Sequence, residues 1–185
     1  MRKIALFLGC LAIVLFSRTS LAQATYPFGT IMKRVYDDVA KPARFDNKAA
    51  QRNHNAVQTD GCGKDIAYNN EDITNWLPAD HLVRLETLIQ AYTNKESDLY
   101  SKKAVYQSIV KGFELWYAKD PKSSNWWHNE ISVPQKLGVM LILMRYGEQQ
   151  LPGELEAGLI ERMKRGDPVI KTGANKTDIA AHYFY

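Results

Sequence analysis

The 185-residue chain contains only two cysteines, Cys10 and Cys62. Cys10 falls in an N-terminal apolar run that we expect to be removed, so one thiol is left and no disulfide within the chain is possible. Alternating apolar and polar residues, the pattern of a β-strand, do not occur at useful length. No metal-ligand spacing and no nucleotide-binding loop is found. These absences predict an all-α fold held by packing, and we infer no cofactor and no metal.

Residues 1–22 have the three parts of a secretory signal peptide. Positive charge at residues 2–3 precedes an apolar run at residues 4–16, and residues 20–22 form a small-residue cleavage site. The run is shorter than a membrane crossing requires, so we expect cleavage rather than a retained anchor. The mature chain is predicted to begin at Gln23, to be secreted or periplasmic, and to make no membrane contact after cleavage.

Removal of this segment nearly abolishes the net charge. The whole chain has 24 basic and 20 acidic residues, and the segment takes three basic residues and no acidic one, which leaves 21 against 20. Overall charge therefore gives no reason to expect a nucleic-acid partner. A local basic excess remains within residues 161–178, and it suits either an anionic glycan or an ordinary solvated surface.

Apolar residues recur at helical spacing through the mature segment, residues 23–185, which we treat as a single unit. The predicted helices run from about Tyr26 to a stop at Lys41 and Pro42, from about Phe45 to Val57, from Pro78 to about Tyr92, from about Val105 to Lys119, from Leu137 to Met144, and from about Leu155 to Met163. A last helix is expected to begin at Ile179, capped by Thr177 or Asp178. The third and fourth should form an antiparallel hairpin. Paired helices of this kind are typical of an α/α toroid or a solenoid.

The most informative stretch is residues 125–134, where Trp126 and Trp127 stand between Asn125 and Asn129. Two adjacent indoles are hard to bury together, so one face is expected to meet solvent or a ligand. A sugar ring suits such a face, because its C–H bonds stack on the indole while amide groups hydrogen-bond its hydroxyls. From residue types alone, a tryptophan pair that closes a helix-bundle core is an equally good interpretation.

Four stretches together resemble polysaccharide lyase family 8, and in particular its chondroitin-degrading branch. They are residues 75–78, 125–131, 140–147 and 172–185. The resemblance covers nearly the whole mature segment. It implies an incomplete α/α toroid followed by β-sheet domains that would lie beyond Tyr185, so the chain is expected to be a truncated lyase. It also implies an acidic polysaccharide, chondroitin sulfate or hyaluronan, as the partner.

The resemblance also implies site residues by position. Trp126 and Trp127 would stack on sugars, with Asn125 as a hydrogen-bonding contact beside them. Asn175 would be the catalytic residue that pairs with the carboxylate of a uronic acid, because the C5 proton is a poor acid while that carboxylate keeps its full charge. A histidine base and a tyrosine acid, assisted by an arginine and a glutamate, would complete the β-elimination, and all are expected beyond Tyr185.

Three functions remain open at this point. The first is a lyase represented by its sugar-binding part, which is expected to be inactive alone. The second is a glycan-binding module without catalysis. The third is a glycoside hydrolase, which would need two carboxylates such as Glu130 and Asp178, although their spacing singles out neither. His182, Tyr183 and Tyr185 follow the asparagine too closely to replace the missing base and acid, and they match a structural helix of the family.

Overall fold

The computed structural model describes residues 27–39, 46–57 and 60–183. Within these ranges the chain is helical, and the only β-type pairing is an isolated bridge between Val57 and Gly63. The elements, in chain order, are α1 (Phe28–Val39), α2 (Asn47–Ala56), α3 (Pro78–Thr93), α4 (Lys103–Lys119), a π-turn (His128–Ser132), α5 (Val133–Met144), α6 (Gly153–Met163) and α7 (Gly173–His182). The predicted all-α fold class is confirmed, whereas the incomplete toroid stays a prediction.

Parts of the sequence analysis fall on residues that the structure does not describe. The predicted signal peptide (1–22), the predicted helix starts at Tyr26 and Phe45, the stop at Lys41 and Pro42, and Tyr185 lie outside the described residues. Within them, Cys62 is a free thiol, as the cysteine count predicts. No helix in the described ranges combines the length and the apolar composition needed to cross a bilayer.

The predicted hairpin of α3 and α4 is confirmed. Tyr92 near the end of α3 lies beside Tyr106 near the start of α4, and His81 near the start of α3 bonds the carbonyl of Gly112 farther along α4, so the helices are antiparallel. Pro78 is tolerated in the first turn of α3, where its missing N–H has no helical acceptor. The apolar faces of both helices are buried, namely at Leu82, Leu85, Leu88, Ile89, Val105, Ile109, Phe113 and Trp116.

Helix α5 lies at the centre of the described fold. Nine of its twelve residues are buried, in agreement with a segment that is apolar on nearly all sides. Lys136 bonds Glu86 of α3 at 2.8 Å, and the Gln135 side chain donates to the Asp178 carbonyl of α7 at 3.0 Å. Packing on several helices also buries Met140, Met144 and Met163. Helix α5 thus fixes the positions of the elements that flank it.

The predicted start of the last helix was wrong. Helix α7 begins at Gly173, not at Ile179, and its N-cap is Thr172 in an extended conformation rather than Thr177 or Asp178. Capping residues are tolerated inside a helix where their side chains reach solvent, and an acidic residue is favourable near a helix N-terminus. Thr177 and Asp178 therefore lie inside α7, and residues 173–176 form its first turn.

Candidate functional site

Asparagine and serine side chains build the loop that presents the tryptophan pair. The Asn125 Oδ1 accepts from the Trp127 N–H at 3.1 Å, and the Ser123 Oγ accepts from the Asn125 N–H at 3.1 Å. Asn129 closes the loop from the other side, because its Oδ1 and Nδ2 bond the Ser123 backbone N–H and carbonyl at 3.0 and 2.8 Å. The amide of Asn129 therefore fixes the loop, whereas the Asn125 Nδ2 makes only a long contact of 3.4 Å to the Ile73 carbonyl.

Trp126 and Trp127 are each 39% exposed. The interpretation that they close a helix-bundle core is therefore wrong, and their large apolar area is available at the surface. Their role in sugar binding and the role of Asn125 stay predictions.

A π-turn follows the tryptophans and has a local cause. Pro134 lies in the first turn of α5 and has no N–H to give to the carbonyl of Glu130 four residues earlier. The Val133 N–H instead bonds the carbonyl of His128, five residues back, which is the hydrogen bond of a π-helix. The extra residue in this turn changes the direction in which the side chains before it project, and such turns are frequent at functional sites.

The loop between α6 and α7 packs against this π-turn. Gly166 has a φ of +77°, and a Cβ there would lie 3.1 Å from the Cβ of Glu130 and 3.2 Å from the Cδ1 of Ile179. Glycine therefore provides both the backbone conformation and the close approach. The same loop carries Lys171, whose Nζ lies 3.7 Å from the ring centroid of Trp126 and 3.1 Å from the Oε2 of Glu130.

Asn175 lies in the first turn of α7 and is half-buried. It precedes Ile179 by four residues, so both residues lie on the same face of the helix. Ile179 reaches Gly166 where Gly166 meets Glu130, so this face of α7 is directed toward the π-turn. No described residue hydrogen-bonds the Asn175 side chain, which leaves its amide able to bind a ligand. The catalytic role of Asn175 stays a prediction.

Several basic side chains within residues 161–178 are in ion pairs, but Arg162 and Arg165 share the single carboxylate of Asp120 with Lys122 and keep a net positive charge there. Arg162 bonds Asp120 at 3.0 Å, and Arg165 bonds the other oxygen of the same carboxylate. Burial alone would raise the pKa of Asp120, but its ion pairs with Arg165 and Lys122 outweigh burial and lower it. Lys164 is similarly paired with Glu161 at 2.6 Å. An anionic-glycan surface across these residues stays a prediction.

His81 has a structural role. It is 5% exposed, and its Nε2 lies 3.0 Å from the Gly112 carbonyl while its Nδ1 lies 2.7 Å from the Tyr68 hydroxyl. Because a carbonyl only accepts, the hydrogen must be on Nε2, and the Tyr68 hydroxyl must donate to Nδ1. Burial lowers the pKa of His81 to about 4. The ring is therefore neutral and fixed between α3 and α4.

His54 and His182 lie in environments that agree with structural roles. His54 contacts the Ser108 hydroxyl at 3.2 Å, remote in the fold from α7. His182, at 2% exposure, is buried, and burial lowers its pKa. Tyr183 donates its hydroxyl hydrogen to the Gly166 carbonyl at 3.1 Å. These placements agree with structural roles for His182 and Tyr183.

The other chemical possibilities receive no support from the described residues. Nowhere in the described ranges do three or more histidine, cysteine or carboxylate side chains come together in a way that could hold a metal ion. Glu130, one of the two carboxylates considered for a hydrolase, is in an ion pair with Lys171. In the sequence Lys171 is only one member of the basic excess, because no local pattern joins residues 126, 130 and 171.

The described fold is a helical domain whose exposed tryptophan pair lies near the N-terminus of α7. Residues 22–185 match the model of the family described as polysaccharide lyase family 8, N terminal alpha-helical domain, and the chain belongs to that family. The family predicted from the sequence is thereby confirmed.

The relatives of the chain are chondroitin-degrading enzymes. The chain is 54% identical over 184 residues to chondroitinase-AC of Pedobacter heparinus, an alignment that covers 97% of this chain and 26% of that protein. It is also similar to a solved structure of chondroitinase AC lyase, known in enzyme–oligosaccharide complexes, with a TM-score of 0.83 and 55% identity. That match covers 86% of this chain and 24% of the other. The chain thus spans about a quarter of the length of the relatives it matches.

Proposed function

We propose that this chain is the sugar-binding N-terminal part of a polysaccharide lyase that cleaves chondroitin- or hyaluronan-type glycosaminoglycans by β-elimination. The observation that carries the proposal is the exposed pair of Trp126 and Trp127 on a chain that belongs to polysaccharide lyase family 8. We further propose that further domains follow this segment, and that the enzyme acts outside the cytoplasm, as the predicted signal peptide requires.

In this proposal Asn175 binds the carboxylate of the uronic acid. Its Nδ2 donates a hydrogen bond to a carboxylate oxygen, and the bond strengthens as negative charge spreads from C5 into that group. A base then removes the C5 proton, the C4–O bond breaks, and an acid protonates the departing glycosidic oxygen. The base and the acid come from residues beyond this segment. The half-buried position and unoccupied amide of Asn175 support this role.

The reaction is tested with the full natural protein and chondroitin sulfate or hyaluronan. A lyase leaves a double bond conjugated with the carboxylate, so absorbance in the ultraviolet should rise as chains are cut. Asn175→Ala should lower kcat by about 10²- to 10³-fold, the usual cost of one lost donor to a developing charge, with little change in KM. A hydrolase would shorten the chains without this absorbance, and normal turnover in Asn175→Ala would remove its proposed role.

Sugar binding is tested separately by removing each indole. Trp126→Ala and Trp127→Ala should each weaken the binding of a chondroitin oligosaccharide by about 5- to 150-fold, as for aromatic platforms worth about 1–3 kcal/mol. Tyr117→Ala is a matched control, because Tyr117 is an equally exposed aromatic residue on α4. Calorimetric affinities that are unchanged in both tryptophan variants would contradict the aromatic-patch assignment.

A glycan-binding module without catalysis is the second candidate. His182, the described histidine nearest to Asn175 in sequence, is buried, so α7 supplies no exposed histidine base and the segment by itself would bind a glycan without cleaving it. This candidate predicts affinity for chondroitin sulfate that depends on the two tryptophans, without any unsaturated product. The absorbance assay on the full natural protein separates it from the lyase.

A further inference from the structure

We infer that Lys171 is a positioning residue for Trp126. Its ammonium group covers one face of the indole and Glu130 holds it there, so that a sugar ring can stack only on the opposite face. This inference rests on the proposed sugar-binding function of Trp126. It concerns which face of the indole is used and what keeps the ring in place.

The contacts of the ammonium group fix its position at two points. The Nζ of Lys171 lies 3.7 Å from the ring centroid of Trp126, well inside the limit of about 6 Å for a cation–π interaction. It also lies 3.1 Å from the Oε2 of Glu130. The side chains of Lys171 and Glu130 are only 23% and 30% exposed, so this ion pair is screened by salt less than a fully exposed one.

The backbone makes this arrangement specific. Glu130 follows Trp126 by four residues, which places the two side chains on the same side of the helical turn. Lys171 arrives from a loop that Gly166 allows to lie directly against Glu130. The contacts of Lys171 with Trp126 and Glu130 therefore join segments up to 45 residues apart. They couple the orientation of the Trp126 indole to the loop that leads into α7 and Asn175.

The consequence for a ligand is geometric. A pyranose ring and an ammonium group cannot both occupy the same face of the indole. The ligand must approach from the uncovered face, and loss of the cation would free the ring to turn and present either face. A rotating ring must be ordered on binding, which lowers affinity.

Glu130 distinguishes positioning from a direct contact between Lys171 and an anionic group of the glycan. If Lys171 positions Trp126, Glu130→Gln loosens the ammonium and weakens binding. If Lys171 instead binds a sulfate or carboxylate, removal of the competing carboxylate strengthens binding. The two roles therefore predict opposite signs for one substitution.

The experiment uses the full natural protein, with Lys171→Met, Lys171→Arg and Glu130→Gln as variants. Without ligand, acrylamide should quench the Trp126 emission, obtained by subtracting Trp126→Phe spectra, more strongly in Lys171→Met than in the wild type. Affinity for a chondroitin oligosaccharide should fall by about 2- to 5-fold, the equivalent of one exposed cation–π contact. Lys171→Arg, which keeps the charge and stacks on aromatic rings, should restore both values.

Three results would overturn the inference. The first is tighter oligosaccharide binding in Glu130→Gln, and the second is unchanged acrylamide quenching of Trp126 in Lys171→Met. The third is an undiminished effect of Lys171→Met on affinity in a Trp126→Ala background, because a residue that positions Trp126 has no effect once the indole is absent. Failure of the proposed sugar-binding function looks different. In that case Trp126→Ala leaves affinity unchanged, while the ligand-free quenching still reports whether Lys171 holds the ring.

Discussion

The four tryptophans of the chain form two pairs, one buried and one exposed. Trp76 and Trp116 are 4% and 1% exposed, and their rings meet edge to face with centroids 6.2 Å apart. Trp126 and Trp127 are each 39% exposed. The first pair is part of the hydrophobic core, and the second belongs to the surface beside α7.

Backbone position explains the difference. Trp116 follows Ile109 and Phe113 at spacings of seven and three residues, so it continues the apolar face of α4. Trp126 and Trp127 are adjacent, and neighbouring side chains on a helical turn point about 100° apart. Both can be buried only where the core surrounds the turn on two sides. The spacing of a tryptophan relative to the apolar face of its helix, more than its residue type, therefore decides whether its side chain is exposed.

The largest expected effect is on the buried pair. Trp116→Ala should lower the free energy of unfolding by about 3–5 kcal/mol, because it leaves a large cavity beside Trp76 and His81. Urea unfolding followed by circular dichroism measures the loss. Trp116→Phe should lose less, since it keeps most of the ring, and provides a folded variant if the alanine variant does not fold.

Trp126→Ala is the matched substitution in the exposed pair, with an expected stability change of less than about 1 kcal/mol. A loss as large as that of Trp116→Ala would break the comparison, because it would make Trp126 a core residue in solution.

His81 packs on the buried tryptophan pair and should make the free energy of unfolding depend on pH. It stacks on Trp116, with ring centroids 5.6 Å apart, and its pKa in the fold is about 4 against 6.5 for an exposed histidine. The unfolded chain therefore binds a proton that the folded chain does not bind between these values. The stability from the neutral ring is complete above about pH 6.5 and is lost as pH falls toward 4, by about 3 kcal/mol in all.

This loss is measured as the free energy of unfolding at intervals from pH 7 to pH 4.5, a range above that in which most carboxylates titrate. The lowered pKas of His128 and His182 add a loss of the same sign. The variant His81→Gln should therefore reduce the slope without abolishing it. A flat profile in the wild type would show that His81 is not buried as a neutral ring.

The elements that could be predicted from the sequence are those determined by residues close together in one segment. The apolar faces of α3 and α4 predicted their hairpin, because helix burial follows spacing along one segment. The start of α7 was missed, since Thr177 and Asp178, which are typical N-cap residues, lie inside this helix. The π-turn was also missed, although Pro134 is its local cause.

The candidate site was predicted in part. The adjacent tryptophans Trp126 and Trp127 mark the site in the sequence, but their residue type alone does not distinguish a buried pair from an exposed one. The roles of Asn125 and Asn175 were predicted from the family resemblance. The contact between Lys171 and Trp126 had no signal at all. It depends on a loop that tertiary packing, through Gly166, brings against the π-turn.

His128 links the two tryptophan pairs, and its substitution gives the smallest expected effect on oligosaccharide affinity. Its ring centroid lies 5.1 Å from that of Trp76 and 5.4 Å from that of Trp127, so it packs between the core and the exposed surface. His128→Ala should cost about 1–2 kcal/mol of stability through the lost packing, and it should weaken oligosaccharide binding only slightly, by about 2-fold. Urea unfolding and calorimetry on the same variant measure the two effects.

His128→Phe separates ring packing from imidazole chemistry. The buried Nδ1 of His128 has no hydrogen-bond partner among the described residues, and burial lowers the pKa of the ring. A phenyl ring of similar shape removes that unsatisfied nitrogen, so stability should be kept or slightly raised. Recovery of oligosaccharide affinity in His128→Phe would show that ring packing supports Trp127. If His128→Phe restores the stability lost in His128→Ala but not the oligosaccharide affinity, the imidazole itself contacts the ligand. The buried and the exposed tryptophan pairs would then be energetically independent.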